Sequence, residues 1–146
     1  MDARLSIITI GVDDMTAQKA FYKDILGWKP EAENKDIVFF KLNGILLSLF
    51  DRKTLAGGVG MSPDGSGFRA ITLSQNVSTE EEVNKAYNEL KGKGVRILVP
   101  PTTTPFGALY FAFADTEDNV LEVTYNPYTP LDAAGDVITH HNIDNL

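Results

Sequence analysis

The chain has 146 residues, with 20 acidic against 13 basic side chains, a net charge of −7 and no cysteine. The length suffices for one domain with its own core or for two small modules that share one. The lack of cysteine excludes disulfides and thiolate metal sites, and the acidic balance argues against a nucleic-acid partner, whose phosphates attract Lys and Arg clusters. No apolar run reaches the ~20 residues that span a bilayer, and no secretory signal is visible, so we expect no membrane partner and a cytoplasmic protein.

The first part of the chain, residues 5–50, predicts a strand, a helix and a β-hairpin. Asp13 and Asp14 can cap the helix, and Gly27 can end it because glycine accepts the left-handed conformation of many helix ends. Asn43-Gly44 is a strong signal for a tight hairpin turn. The predicted strands of this module are residues 5–12, 37–42 and 45–50.

The same order of elements returns in residues 68–125, after a Gly-rich segment, 51–67, that we interpret as a linker. Ser78 and Glu81 are predicted to form the capping box of the second helix. The prolines between Pro100 and Pro105 predict a stiff loop, and residues 126–146 predict a polar tail. The predicted strands of this second module are residues 68–74, 109–114 and 120–125.

Side chains alternate between the two faces of a strand, so each predicted strand presents two sets of residues. Aligning the two modules pairs Ile7 with Phe68 and Ser48 with Glu122. One face then combines apolar walls, several hydroxyls and a single ionisable group, which is typical of a small-molecule site, although ordinary core packing remains an alternative. The predicted ligand-binding residues are Ile7, Thr9, Ser48, Phe50, Phe68, Thr72, Phe106 and Tyr110, with Glu122 as the candidate catalytic residue.

Three motifs resemble the vicinal oxygen chelate superfamily, which includes glyoxalases, bleomycin resistance proteins and extradiol dioxygenases. They are Thr9-Ile-Gly-Val-Asp-Asp14, Phe21-Tyr-Lys-Asp-Ile-Leu-Gly-Trp28 and Asp115-Thr-Glu-Asp-Asn-Val-Leu-Glu122. The third motif departs from the usual pattern of that superfamily at Thr116 and Asp118, where proline and glycine are typical. The resemblance implies an α+β fold, in which two βαβββ modules form an incomplete barrel around a cleft, within one glyoxalase-like domain over residues 1–146. It also implies a homodimer.

The resemblance further implies where a metal would bind, because metal-using members take one ligand from the opening strand and one from the closing strand of each module. Those positions correspond to Ile7, Ser48, Phe68 and Glu122, of which only Glu122 is a strong ligand. Since divalent sites need about three His or carboxylate ligands, we expect no metal and no cofactor. The two histidines, His140 and His141, lie in the tail outside both modules.

Three functions remain open on this basis. The first is binding of a small organic molecule in a metal-free cleft. The second is a lyase or isomerase of the lactoylglutathione lyase type, in which Glu122 would act as an acid–base group or a metal ligand. The third is an accessory module without a small-molecule role, because a fold of this kind hosts several unrelated activities.

Overall fold

The computed structural model describes Ala3 and residues 5–143. These residues form eight strands and three α-helices, and the strands form two four-stranded sheets. The chain divides into two compact units, one ending at Gly67 and the other beginning at Phe68. In the described part of the chain, no helix is both long and apolar enough to cross a membrane.

The first unit carries one sheet in the strand order β1-β4-β3-β2, with β1 parallel to β4 and the other neighbours antiparallel. Asp14 caps the first helix by accepting a hydrogen bond from the Ala17 amide at 2.9 Å. The hairpin predicted at Asn43-Gly44 is confirmed, with Gly44 in the left-handed region at φ 77°. The elements are β1 (Ile7–Val12), α1 (Met15–Ala20, continued by a π-helical turn, Phe21–Ile25), β2 (Pro30–Glu33), β3 (Ile37–Lys41), β4 (Leu46–Asp51) and α2 (Arg52–Gly58).

The second unit repeats this arrangement in the strand order β5-β8-β7-β6, again with its opening and closing strands parallel. The repetition confirms the predicted α+β class with two βαβββ modules. The last two strands of the chain begin and end at the residues that the sequence predicts. The elements are β5 (Thr72–Val77), α3 (Glu80–Gly92), β6 (Arg96–Thr103), β7 (Leu109–Ala114) and β8 (Val120–Tyr125).

Each sheet buries one face beneath its own helix. In the first unit the fully buried Tyr22 ring lies 5.5 Å from Trp28 and 5.8 Å from Phe40, measured between ring centroids. In the second unit the Tyr87 ring of α3 meets Phe111 edge-on at 5.6 Å. Burying side chains of this size contributes roughly 1.5–3 kcal/mol each, so these contacts fix each helix on its sheet.

The opening strand of the second module begins four residues later than the sequence predicts. It starts at Thr72, whereas Phe68 lies outside it and is 70% exposed. The physical reason is backbone conformation: Gly67 and Ala70 have φ angles of 80° and 58°, in the left-handed region that an extended strand excludes. Assigning Phe68 to the strand was therefore wrong.

The start of α3 also differs from the prediction by one residue. Thr79, rather than Ser78, is the N-cap: its hydroxyl accepts a hydrogen bond from the Glu82 amide at 3.2 Å. The Glu82 carboxylate in turn accepts from the Thr79 amide at 3.0 Å, which completes the capping box. Both Ser78–Glu81 and Thr79–Glu82 have the spacing of the motif, so the sequence pattern alone does not distinguish them.

Two segments predicted to be irregular contain regular structure. The segment 51–67 is a connector only in its later part, because Asp51 caps helix α2 by accepting from the Thr54 amide at 2.8 Å. Pro100 and Pro101 lie inside β6 rather than in a loop. They are tolerated because β6 is the edge strand of its sheet and its register with β7 shifts there, so the missing amide donors interrupt no central ladder.

Candidate functional site

The face of the second sheet that does not lie under α3 carries Glu122. Residues directly opposite each other in a ladder project to the same face, which places Ser74, Glu122 and Ala112 in one row across β5, β8 and β7. The Ser74 hydroxyl donates a hydrogen bond to the Glu122 carboxylate. No ion pair to Glu122 occurs within residues 5–143 or at Ala3. The carboxylate is thus positioned by a neutral neighbour and keeps its charge for other contacts.

A second row lies two residues further along the same strands, at a spacing of about 6.6–6.8 Å. It consists of Asn76, Thr124 and Tyr110. The Thr124 hydroxyl oxygen is shielded from solvent and has no hydrogen-bond partner among the described residues. This row is therefore polar, uncharged and, at its centre, unsatisfied.

On this face of the second sheet, β7 carries small side chains at two positions. Ala112 and Ala114 occupy β7 between the two neighbouring strands, whereas Phe111 and Phe113 of the same strand point to the opposite face and stack at 5.7 Å. The alternation separates an aromatic face under the helix from a face of small and polar residues. Thr72, at the start of β5, shares the latter face and pairs with Val120.

The corresponding face of the first sheet is more apolar. Thr9 and Ser48 are opposite each other on β1 and β4, and their hydroxyl oxygens are hydrogen-bonded at 2.7 Å. Ser48 is fully buried, and Ile7 and Phe50 lie on the same face at neighbouring rows. The two hydroxyls satisfy each other by this hydrogen bond. None of these four side chains is ionisable, so they place no charge on this face of the first sheet.

The register of the two modules corrects the sequence alignment. Thr9 opposes Ser48 and Ser74 opposes Glu122, so Ser74 is the equivalent of Thr9. Counting two residues back along each opening strand, the equivalent of Ile7 is Thr72 and not Phe68. Sequence reasoning consequently missed Ser74 as a site residue. The helix caps carried the signal, because Asp14 and Thr79 each lie five residues after the matching strand position.

The predicted site residues thus fall into three groups. Thr72, Tyr110 and Glu122 share one face of the second sheet, and Ile7, Thr9, Ser48 and Phe50 share one face of the first. Phe68 lies before β5, and Phe106 lies in the turn before β7, where it is 41% exposed. The described structure does not bring these last two onto either face.

The donor set at the four ligand-equivalent positions does not fit a divalent metal. With the corrected register these positions are Ile7, Ser48, Thr72 and Glu122, which supply one carboxylate, two neutral hydroxyls and a hydrocarbon. A divalent site needs about three His or carboxylate ligands. Within the described ranges, no cluster of three or more His, Cys, Asp or Glu side chains is arranged to hold a metal ion.

The histidines of the tail take part in local tail structure. The His140 ring stacks on Tyr128 with centroids 6.4 Å apart, and the His141 amide donates to the Tyr128 carbonyl at 2.7 Å. Both histidines are exposed.

An open depression of about 250 Å³ lies at the C-terminal ends of β5 and β8 and contains none of the predicted site residues. It is lined by Val77, Ser78, Tyr125, Asn126, Pro127, Thr129, Pro130 and Leu131.

The turn before β8 sets the entry of the strand that carries Glu122. Its Asp115 carboxylate accepts hydrogen bonds from the Glu117 and Asn119 amides, each at 2.9 Å. Asp118 adopts φ 63°, a left-handed conformation that explains why glycine is common at this point in similar turns. The departures at Thr116 and Asp118 therefore leave the turn geometry in place, because aspartate tolerates this region better than most residues.

Known proteins share both the sequence pattern and the fold. The family model for the Glyoxalase/Bleomycin resistance protein/Dioxygenase superfamily matches residues 4–123. A crystal structure of a glyoxalase-related enzyme from Fulvimarina pelagi is 30% identical, with a TM-score of 0.84, over 94% of this chain and 99% of that chain. A comparison with curated proteins gives no match.

Two further structures show likeness of fold alone. A glyoxalase/bleomycin resistance protein/dioxygenase from Nocardioides is 20% identical, with a TM-score of 0.75, over 86% of this chain and 84% of that chain. A lactoylglutathione lyase from Agrobacterium tumefaciens is also 20% identical, with a TM-score of 0.70, over 86% and 96% of the two chains. With two βαβββ modules and a family match over most of its length, this chain belongs to the glyoxalase/bleomycin resistance protein/dioxygenase superfamily.

Proposed function

We propose that this chain binds a small organic molecule, without a metal ion, on the face of the second sheet that carries Glu122. The observation that supports this is the Ser74–Glu122 pair, which positions one carboxylate beside Ala112 of the neighbouring strand. The hydroxyl donor orients the carboxylate without neutralising it. A carboxylate in this situation favours a ligand that brings a charge-assisted donor such as an ammonium group.

The net charge of the chain points in the same direction. At −7 the molecule attracts cations at long range, and salt weakens that attraction. The local contribution comes from Glu122, because the two residues opposite it in the ladder, Ser74 and Ala112, are neutral. We therefore expect the ligand to carry a positive charge at one end and an uncharged body that lies over Ala112.

An acid–base role for Glu122 is the second candidate. The observation that favours it is the 30% identity, over nearly the whole chain, to a structure described as a glyoxalase-related enzyme. In this role the carboxylate would remove a proton from a bound substrate and return it to another position of the same molecule. Ser74 would hold the carboxylate in place, but it adds no second titratable group.

The binding proposal is tested with three matched probes that differ in charge: benzylamine, benzyl alcohol and benzoate. Backbone amide shifts in the NMR spectrum of the intact chain report where each probe binds. We expect benzylamine to shift the amides of Ser74 and its strand neighbours, and benzoate to leave them unchanged. Glu122→Gln should abolish the benzylamine effect and retain the folded spectrum.

Glu81→Gln is the matched control, because it removes the same charge from an exposed position on α3. Equal benzylamine affinity in the parent and in Glu122→Gln would refute the proposal. Consumption of lactoylglutathione by the parent, lost in Glu122→Gln, would instead establish the second candidate.

A further inference from the structure

We infer that the depression at the C-terminal ends of β5 and β8 is a second binding site, which takes a small neutral molecule rich in hydroxyl groups, such as a monosaccharide. Glu122 is not among the residues that line it. The inference therefore goes beyond the proposed function and does not depend on it.

The depression lies at a favourable place in the fold. The strands β5 and β8 are parallel, and Val77 and Tyr125, the last residues of the two strands, are paired and both line the depression. Ligands of open sheets commonly bind outside the carboxyl ends of parallel strands, because the chain leaves neighbouring strands there in different directions. Here the chain leaves β5 into α3 and leaves β8 into the tail, whose residues 126–131 supply the rest of the lining.

Hydrogen bonds hold the tail wall of the depression in one conformation. The Asn126 side-chain oxygen accepts from the Tyr128 amide at 2.9 Å, and the Asn126 carbonyl accepts from the Thr129 amide at 3.0 Å. Further along the tail, the Ile138 amide donates to the Pro130 carbonyl at 3.0 Å. A wall that is already fixed loses little conformational freedom when a ligand binds, which favours affinity.

The polar part of the lining suits a ligand that bears hydroxyl groups. No hydrogen bond joins the Ser78 or the Thr129 hydroxyl to another residue of the described ranges. Asn126 keeps its side-chain N–H donors beyond the bond that it accepts from Tyr128. A hydroxyl both donates and accepts, so ligand hydroxyls complement all three of these groups.

The apolar part of the lining suits the flat C–H face of a sugar ring. It is supplied by Val77, Pro127, Pro130 and Leu131. The volume of about 250 Å³ lies just below the roughly 300–1,000 Å³ of pockets for drug-sized ligands, so the site accommodates about one ring.

The charges around the depression favour a neutral ligand. The residues of the described chain that line it are all uncharged, although charged residues make up 23% of the sequence. Glu80, Glu81 and Glu82 form the first turn of α3, close after Ser78 in the chain, and repel an anion. The Glu82 carboxylate already accepts from the Ser78 amide at 3.0 Å, so it is engaged in the helix cap.

The test compares three sugar probes that differ in charge: methyl glucoside, glucosamine and glucuronate. Backbone amide shifts in the NMR spectrum of the intact chain report where each probe binds. We expect methyl glucoside to shift the amides of Val77 and Leu131 with a Kd of about 1 mM, as is usual for about a dozen heavy atoms in an open site. Glucuronate should leave these amides unchanged, and glucosamine should bind no more tightly than methyl glucoside.

Two variants test the hydroxyls of the depression. Ser78→Ala and Thr129→Val should each weaken methyl glucoside binding about two- to tenfold, the usual effect of one lost hydrogen bond. Ser78→Ala should retain the fold because Thr79 is the N-cap of α3. Thr103→Val is the control, since it changes an exposed threonine of β6 outside the depression, and it should leave the affinity unchanged.

Four results would overturn the inference. They are no shift at Val77 and Leu131, shifts confined to Ser74 and its ladder neighbours, tighter binding of either charged sugar, and unchanged affinity in both hydroxyl variants. These results leave the proposed function standing, because that is judged by benzylamine and Glu122→Gln. Failure of the benzylamine test with sugar binding intact would overturn the proposed function alone.

Discussion

The hydrogen bond between Thr9 and Ser48 should show strong coupling between the two side chains. Ser48 is fully buried, and Thr9, whose hydroxyl lies 2.7 Å from it, is exposed enough to meet water. Thr9→Val therefore leaves the Ser48 hydroxyl unsatisfied and should cost about 1–3 kcal/mol of unfolding free energy. Ser48→Ala leaves Thr9 free to bond water and should cost only about 0.5–1.5 kcal/mol.

The double variant separates this mechanism from simple loss of contact. With both hydroxyls gone, no buried polar group lacks a partner, so the combined cost should be no greater than that of Thr9→Val alone. The coupling free energy should then lie within about 0.5–3 kcal/mol, as is usual for residues in direct contact.

Urea unfolding gives the three unfolding free energies. Trp28, the single tryptophan, belongs to the same unit and reports its unfolding by fluorescence. Additive costs in the double variant would refute the reasoning, because they would mean that the two hydroxyls act independently. Equal costs for the two single variants would contradict the assignment of Ser48 as the buried partner.

Three further predictions concern the caps and turns that position the strands. Thr79→Ala should lower the unfolding free energy by about 0.5–2 kcal/mol, whereas Ser78→Ala should change it by less than about 0.5 kcal/mol in the same urea assay. Hydrogen bonds from the Thr54 hydroxyl and amide hold the pKa of Asp51 below its ordinary value of 3.8, so its stabilising effect is complete at neutral pH and is lost as the pH falls through the lowered pKa. Asp51→Asn, which keeps a capping side chain but does not titrate, should show a weaker loss of thermal stability below about pH 4. Asp118→Val should lower the unfolding free energy by about 1–2 kcal/mol, because valine disfavours the left-handed conformation at this position. Asp118→Gly should be at least as stable as the parent in this respect, because glycine adopts that conformation readily.

Local signals in the sequence predicted the elements with regular patterning. Residues 109–114 and 120–125 were located without error because two largely apolar runs flank a polar turn. The run from Phe68 to Leu73 also has the alternating pattern of a strand, and nothing in its composition shows that Ala70 leaves the extended region. The strand through Pro100 was missed for a different reason: its prolines are acceptable only at a sheet edge, and position in the sheet is a tertiary property.

The candidate site was likewise predicted only where a local sequence signal exists. Glu122 could be singled out from sequence because it is ionisable in an apolar strand at a repeated position. Ser74 was overlooked because the alignment started from the apolar run, whereas the helix caps, Asp14 and Thr79, give the correct register. Thr124 carried no signal at all. The burial of its hydroxyl without a hydrogen-bond partner among the described residues is a property of the folded chain and not of the local sequence.

The two modules carry different side chains at one equivalent pair of ladder positions, Thr9–Ser48 in the first and Ser74–Glu122 in the second. In the first, a hydroxyl faces a hydroxyl, each satisfies the other, and Ser48 is closed off from water. In the second, a hydroxyl faces a carboxylate, and Glu122 retains both its charge and accepting capacity beyond the bond from Ser74. A closed neutral pair favours stability, whereas an open charged pair favours recognition. On this argument the first sheet supplies a stable frame, and differences in ligand preference among close relatives should concentrate on the face of the second sheet.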